Sequence, residues 1–283
     1  TGINCTAVGF NSLKENTDAS NNTAIGYEAL TANTTGSSNN AFGAESMMTN
    51  TTGNQNCAFG RQTLKSSNGD YNNAFGHQAL ENNTTGAQNV AIGLNALTAN
   101  TTGNYNVAIG HAALTTSTTT SNNTAVGHEA MTSTTTGAHN AAFGWKALRD
   151  NTTGTRNTAI GYQALEDNTT GYRNTACGRI ALRECTTGSL NAGFGREALR
   201  DLTTGSYNTA CGRSSGEQMT TGSNNCLLGN DAGRAGQPGG TVTTGNNNTI
   251  IKNQNYSTHK RKGRFYNEWK NVLLKIFKLI CFF

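Results

Sequence analysis

Proline is almost absent, with one residue in 283, and tryptophan occurs twice. Only 34% of the residues are hydrophobic and 13% are charged, too few apolar side chains for an ordinary globule of this length. The seven cysteines, Cys5, Cys57, Cys177, Cys185, Cys211, Cys226 and Cys281, lack metal-site spacing, and their odd number forbids complete pairing. Cys177 and Cys211 lie two repeat units apart, roughly twice 4.8 Å in a stacked solenoid, too far for a disulfide. They read as buried substitutes for larger apolar residues. No basic and apolar leader opens the sequence, which starts in mid-repeat, as expected of a piece of a longer chain.

What the chain has is glycine, 34 residues of it, in a fixed register. The glycine closing the "AIG" word recurs from Gly9 to Gly229 in fourteen units, each interval being 17 residues except Gly60 to Gly76, which is 16. Low hydrophobicity alone would suit disorder. A disordered chain, however, has no reason to return leucine to one column.

With each anchor glycine as zero, the columns give the fold. Position minus one is apolar throughout (Val8, Ile25, Phe42 and onward to Leu228), and minus two is Ala in twelve units. Plus four is Leu or Met from Leu13 to Leu199, then Gly216 and Gly233, where the core is expected to narrow. Neighbours on a strand face opposite ways, so two adjacent apolar columns imply packing on both faces. The minus-one column is expected to line the coil. The Ala column (Ala91, Ala108, Ala125, Ala142, Ala159) is expected to lie at a symmetry axis or tightly packed inside the coil. Asn at minus four, from Asn22 to Asn225, predicts an amide ladder, with Cys5 the departure. "TTG" at plus eight to plus ten predicts a turn in which Gly36, Gly53, Gly103 and Gly154 take positive φ. "YEALTAN" between them reads as a strand or a short helical turn. The expected fold is all-β, a parallel β-solenoid or β-roll of about fourteen 17-residue coils, roughly 65 Å long at one strand spacing per coil.

The words "NTAIGxxAL" closely resemble the repeats of trimeric autotransporter adhesin heads. The longer "NTAIGxxALxxNTTGxxN" is similar to repeats in tail-fibre proteins of phages and some other large viruses. The resemblance spans about residues 4–251. It implies a left-handed coil, a homotrimer, and a structural fibre or adhesin head that displays a repeated surface for attachment to a host glycan or protein receptor. The implied location is a virion tail fibre or a cell surface. The period departs from the shorter units common in adhesin heads.

Candidate chemistry is sparse, and no enzyme, cofactor or metal is expected. Ile25–Leu30 fits the hexapeptide-acyltransferase word, yet such a coil needs 18 residues, and "TANTTG" fails its apolar position. That solenoid acyltransferase and an ice-binding solenoid are the alternative readings. The paired threonines, such as Thr34–Thr35, are adjacent and so do not share a strand face, which favours turn-forming hydroxyls over ice binding. Glu28, Glu45, Glu129 and Glu197 share the plus-two column and read as solvated. The plus-one column mixes aromatic, His and Arg residues, Arg179, Arg196 and Arg213 among them. Tyr27, Arg61, His77, His111, His128, Trp145 and Tyr162 in that column are the candidate binding residues, by stacking and hydrogen bonding. His111 and His128 fall in adjacent layers without a third ligand.

Residues 1–251 form the repetitive domain and 252–283 a non-repeating basic, apolar tail. The body holds 13 Lys and Arg against 15 Asp and Glu, and the tail 8 against 1, so the overall charge of +5 belongs to the tail. Nucleic-acid binding is therefore not inferred. The tail is too short and too charged to span a bilayer. It reads as an interfacial helix that contacts a membrane, a cap, or the product of a reading-frame break or truncation.

Overall fold

The computed structural model describes residues 2–236 and 241–252. The chain divides into two units, Thr1–Lys252 and Asn253–Phe283; the expectations for the tail lie outside the described residues. The first unit is a parallel β-solenoid. Fifteen strands, each of three residues, from Thr6–Val8 to Thr249–Ile251, stack in sequence order in one sheet. Every strand pairs with the next in parallel, identical offsets facing each other, as in Val90↔Val107, Ala91↔Ala108 and Ile92↔Ile109. The strands fall on the "xA(I/F)" words that the repeat predicts. In the last pairing, Leu228 meets Ile251 across an interval of 23 residues rather than 17.

The minus-one face is the reverse of the expectation, while the Ala column takes the second of its two expected places, packed inside the coil. From the second coil onward, Ala at minus two points into the coil and is fully buried, as are Ala at plus three and Leu or Met at plus four (Ala91, Ala96 and Leu97 in one coil). The minus-one side chains point outward: Ile25, Phe59, Ile92, Phe143, Ile160 and Phe194 are all exposed. A 17-residue coil encloses space for one large side chain per layer, and leucine takes it. Cys177 and Cys211, in the minus-one column, are accordingly exposed, while among the described residues Cys185 is the buried cysteine.

That space is conserved in volume at the end of the array. The core does not narrow at Gly216, because Leu227 replaces the inward Ala; a Cβ on Gly216 would lie 2.7 Å from Leu227 Cδ1 and 2.8 Å from Leu199 Cδ2. The plus-two to plus-seven segment is neither strand nor helix. It is a turn in which Leu30, Met47, Leu97 and their equivalents hold φ near 50°, a left-handed conformation costing roughly 1–2 kcal/mol each. Burying the leucine side chain, at about 1.5–3 kcal/mol, offsets that strain. Its N–H is also bonded to the next coil, as in Leu30 N to Ser46 O, 3.0 Å.

The polar interior is the predicted amide ladder, doubled. Asn106 donates from Nδ2 to Thr120 O across its own coil (2.8 Å), and its Oδ1 accepts the N–H of Asn123 in the next layer (3.1 Å). A second column at plus seven stacks Asn33 with Asn50 and Asn83 with Asn100, each amide donating to the Oδ1 one layer earlier. This column explains the "TTG" glycine. Gly36 does not adopt positive φ; a Cβ there would lie 2.3 Å from Gly53 O and 2.6 Å from Asn33 Oδ1. Anchor glycines do have positive φ, as at Gly26 (144°), and a Cβ there would meet Gly43 O at 2.5 Å. The threonine doublets close the turn: in a regular layer Thr34 N, Thr35 N and Gly36 N all donate to Thr51 O, and so does the Thr34 hydroxyl.

The 16-residue unit is accommodated in this turn. Where one threonine is missing, Asn68 Oδ1 takes the place of its carbonyl, accepting from Thr51 N (2.7 Å), Thr51 Oγ1 (2.9 Å) and Thr52 N (3.3 Å). The second ladder is broken at Ser117, which leaves the buried Asn100 Oδ1 without a donor. Ser117 stands where position plus ten is Thr120, and an asparagine would there collide with the threonine Cβ. Ser117→Asn alone should therefore destabilise the solenoid, whereas Ser117→Asn with Thr120→Gly should restore the ladder. The double variant is expected to gain about 1 kcal/mol over the parent in urea unfolding.

Candidate functional site

The plus-one column follows one residue after the anchor glycine, which the close approach of successive coils holds at fixed spacing. Its side chains therefore stack in register. Tyr162, Tyr27, Arg61, His111 and His128 are exposed, and His77 and Trp145 are half-buried. The structure brings four of the seven candidates together: His111, His128, Trp145 and Tyr162 occupy consecutive layers. His111 Nδ1 lies 3.2 Å from His128 Nε2, one nitrogen donating to the other. Trp145 stacks on Tyr162 with centroids 4.7 Å apart and planes 13° from parallel; His128 covers its other side at 6.5 Å. Tyr27 stacks instead on Phe10 at 5.6 Å, and Arg61 and His77 lie in layers between.

This stacking determines what the ridge can do. The ring faces of Trp145 and Tyr162 are turned toward neighbouring layers, so the column offers ring edges and polar atoms outward rather than open aromatic faces. Cations continue it: Arg179 sits over the Tyr162 ring (5.5 Å) and Lys146 over Trp145 (4.2 Å). Among the described residues, no group of three or more His, Cys, Asp or Glu is placed to hold a metal.

The plus-two glutamates are not freely solvated. Lys65, at 2.7 Å, and Gln62 hold the Glu45 carboxyl below the usual carboxylate range. Glu197 is held down against its burial by Ser214 and Arg196. At plus five, burial pushes Glu166 up although Arg149 pairs with it.

Sequence reasoning missed the minus-five column. Tyr71, Tyr105, His139, Arg156, Arg173 and Tyr207 all hold φ of 54–61° and are exposed. The signal was available, since each immediately precedes the buried asparagine, whose inward turn throws its neighbour outward.

These features define the class of protein: a repeat protein whose parallel β-solenoid presents residue ladders at a constant spacing. No protein-family model matches the chain, and no curated protein is significantly similar to it. Among the described residues no helix is long and apolar enough to cross a membrane.

Thiol chemistry tests the placement of the columns. Burial pushes the Cys185 thiol up to about 12, and its S–H donates to Gly188 O at 3.4 Å. The monomeric chain at pH 8 should take up maleimide at Cys177 and Cys211 within minutes, with Cys185 labelled only after unfolding. Peptide mass spectrometry reads the sites, and early labelling of Cys185 would contradict its place in the coil.

Proposed function

We propose that this chain is the shaft or head of an attachment fibre: a structural repeat protein that associates as a homotrimer and displays laterally repeated surface ladders to a host glycan or protein receptor. The observation that carries the reading is the exposed apolar strip. From Val8 to Leu228 the minus-one column leaves Ile, Phe, Val, Leu and Cys side chains on the outer sheet face of fourteen layers. An unbroken strip of that kind marks an interaction surface. The partner whose apolar groups recur at the same spacing is a second copy of the chain, and closed association by rotation buries the strip on every copy. The inward alanines have no part in this contact, so the interface moves from the Ala column to the column beside it.

A trimer places three plus-one ridges around one rod and raises weak individual affinities through multivalency. The resemblance of the repeat to trimeric adhesin heads and viral tail fibres supports the same reading, with location at a virion tail or cell surface and a left-handed coil.

Phe143→Glu with Ile160→Glu should yield a folded monomer, with unchanged circular dichroism and about one-third of the parent mass by light scattering. Ala142→Glu should instead unfold its coil, since its side chain is fully buried. Parent protein that is already monomeric at micromolar concentration would refute the trimer. Screening the parent on a glycan array tests attachment, and variants at Trp145 and Tyr162 should lose any signal the ridge provides.

A further inference from the structure

Charge in residues 145–220 is sorted by column. Of the seven carboxylates in that stretch, Asp150, Glu166, Asp167, Glu184, Asp201 and Glu217 stand at plus five and plus six, where Arg149, Arg183 and Arg200 bind them. The remaining six cations, Lys146, Arg156, Arg173, Arg179, Arg196 and Arg213, stand at minus five, plus one and plus two with a single carboxylate, Glu197. Glu197 pairs with Arg196 at 2.7 Å and reaches Arg179 at 3.9 Å. The guanidinium groups of Arg156, Arg173 and Arg213 have no ion pair among the described residues, and all three side chains are exposed. Residues 1–144, by contrast, hold three cations and seven carboxylates. The basic strip is therefore local, and it opposes the net charge of the solenoid that bears it.

Its geometry is linear. Arg179, Arg196 and Arg213 occupy one column in three successive layers, one guanidinium about every 4.8 Å along the axis. Arg179 is packed on Tyr162, which limits the freedom it would lose on binding. Planar guanidinium groups bind sulfate and carboxylate oxygens in pairs. We propose that the Arg179–Arg196–Arg213 ladder binds a linear sulfated polysaccharide lying along the solenoid axis. The proposal rests on the attachment reading and gives the chemical class of the receptor. Single-stranded nucleic acid is the less fitting polyanion, because its binding draws on open aromatic faces, and those of Trp145 and Tyr162 are covered by neighbouring layers.

The test uses the full chain with Lys260, Arg261, Lys262 and Arg264 changed to Gln, so that the basic tail does not mask the ladder. In about 0.15 M salt this protein should bind immobilised heparin, with at least about tenfold weaker binding to desulfated heparin and to single-stranded DNA. Arg179→Gln with Arg196→Gln and Arg213→Gln should weaken heparin binding about tenfold or more and flatten its salt dependence, with circular dichroism unchanged. Glu197→Gln, which frees Arg196, should strengthen it. Equal heparin binding by the ladder variant, or equal affinity for single-stranded DNA, overturns the proposal. Attachment to cells or neutral glycans without heparin binding sinks the ladder and leaves the attachment reading standing. Ladder-dependent heparin binding by a chain that attaches to no cell supports the site and sinks the attachment reading.

Discussion

The side-chain amide of the minus-four asparagine is the interaction on which the rest of the solenoid depends. A 17-residue coil is too narrow for a conventional core, and its turns bury backbone groups that water cannot reach. Asn106 resolves both problems, spanning its own coil through Nδ2 and handing Oδ1 to the backbone of the next layer. Because the amide occupies the interior beside the strand, minus two stays small wherever leucine or methionine fills the remainder, and leucine enters there only at Leu227, against the plus-four Gly216. The large apolar residue beside each alanine is consequently forced out to the surface.

That outward displacement turns a packing constraint into a display. Identical offsets face each other in every layer, so each outward column becomes a straight ladder: apolar at minus one, aromatic and cationic at plus one, aromatic and basic at minus five. Chemistry on such a surface is set by which residue types occupy successive layers. His111, His128, Trp145 and Tyr162 form a stacked run because the anchor glycines allow coils close enough for rings to touch. The sorting of carboxylates and cations into different columns has the same origin, since a column keeps its side of the coil for the length of the array.

Much of this was legible in the sequence. The period, the strand positions and the minus-four ladder follow from the columns, because stacking demands that like meet like. Which strand face is inward did not follow: Ala24 and Ile25 are both apolar, and the choice depends on coil diameter, set by left-handed Leu30 and Glu28 that no pattern announces. The second asparagine column hid for a related reason, since Ser67, Ser117, Thr134 and Cys185 interrupt it and blur its register. In the candidate site, the plus-one column was visible as a mixture of residue types, but whether its rings present faces or edges required the layer contacts. Arg156 and Arg173 escaped notice although each immediately precedes a minus-four asparagine, whose inward turn throws its neighbour outward.

The self-matching register also bears on how such a protein changes over generations. Each coil offers the same pairing to the coil before it and the coil after it, so a seventeen-codon segment duplicated or lost by unequal exchange rejoins without a seam. Length becomes a nearly free variable, as in other repeat arrays. Loss of a single codon is a different matter. The shortened coil survives because Asn68 furnishes an oxygen where a peptide group has gone. Indels smaller than a whole turn are thus confined to places where a side chain can impersonate the backbone, and the rod records its own history in the few coils that break the count.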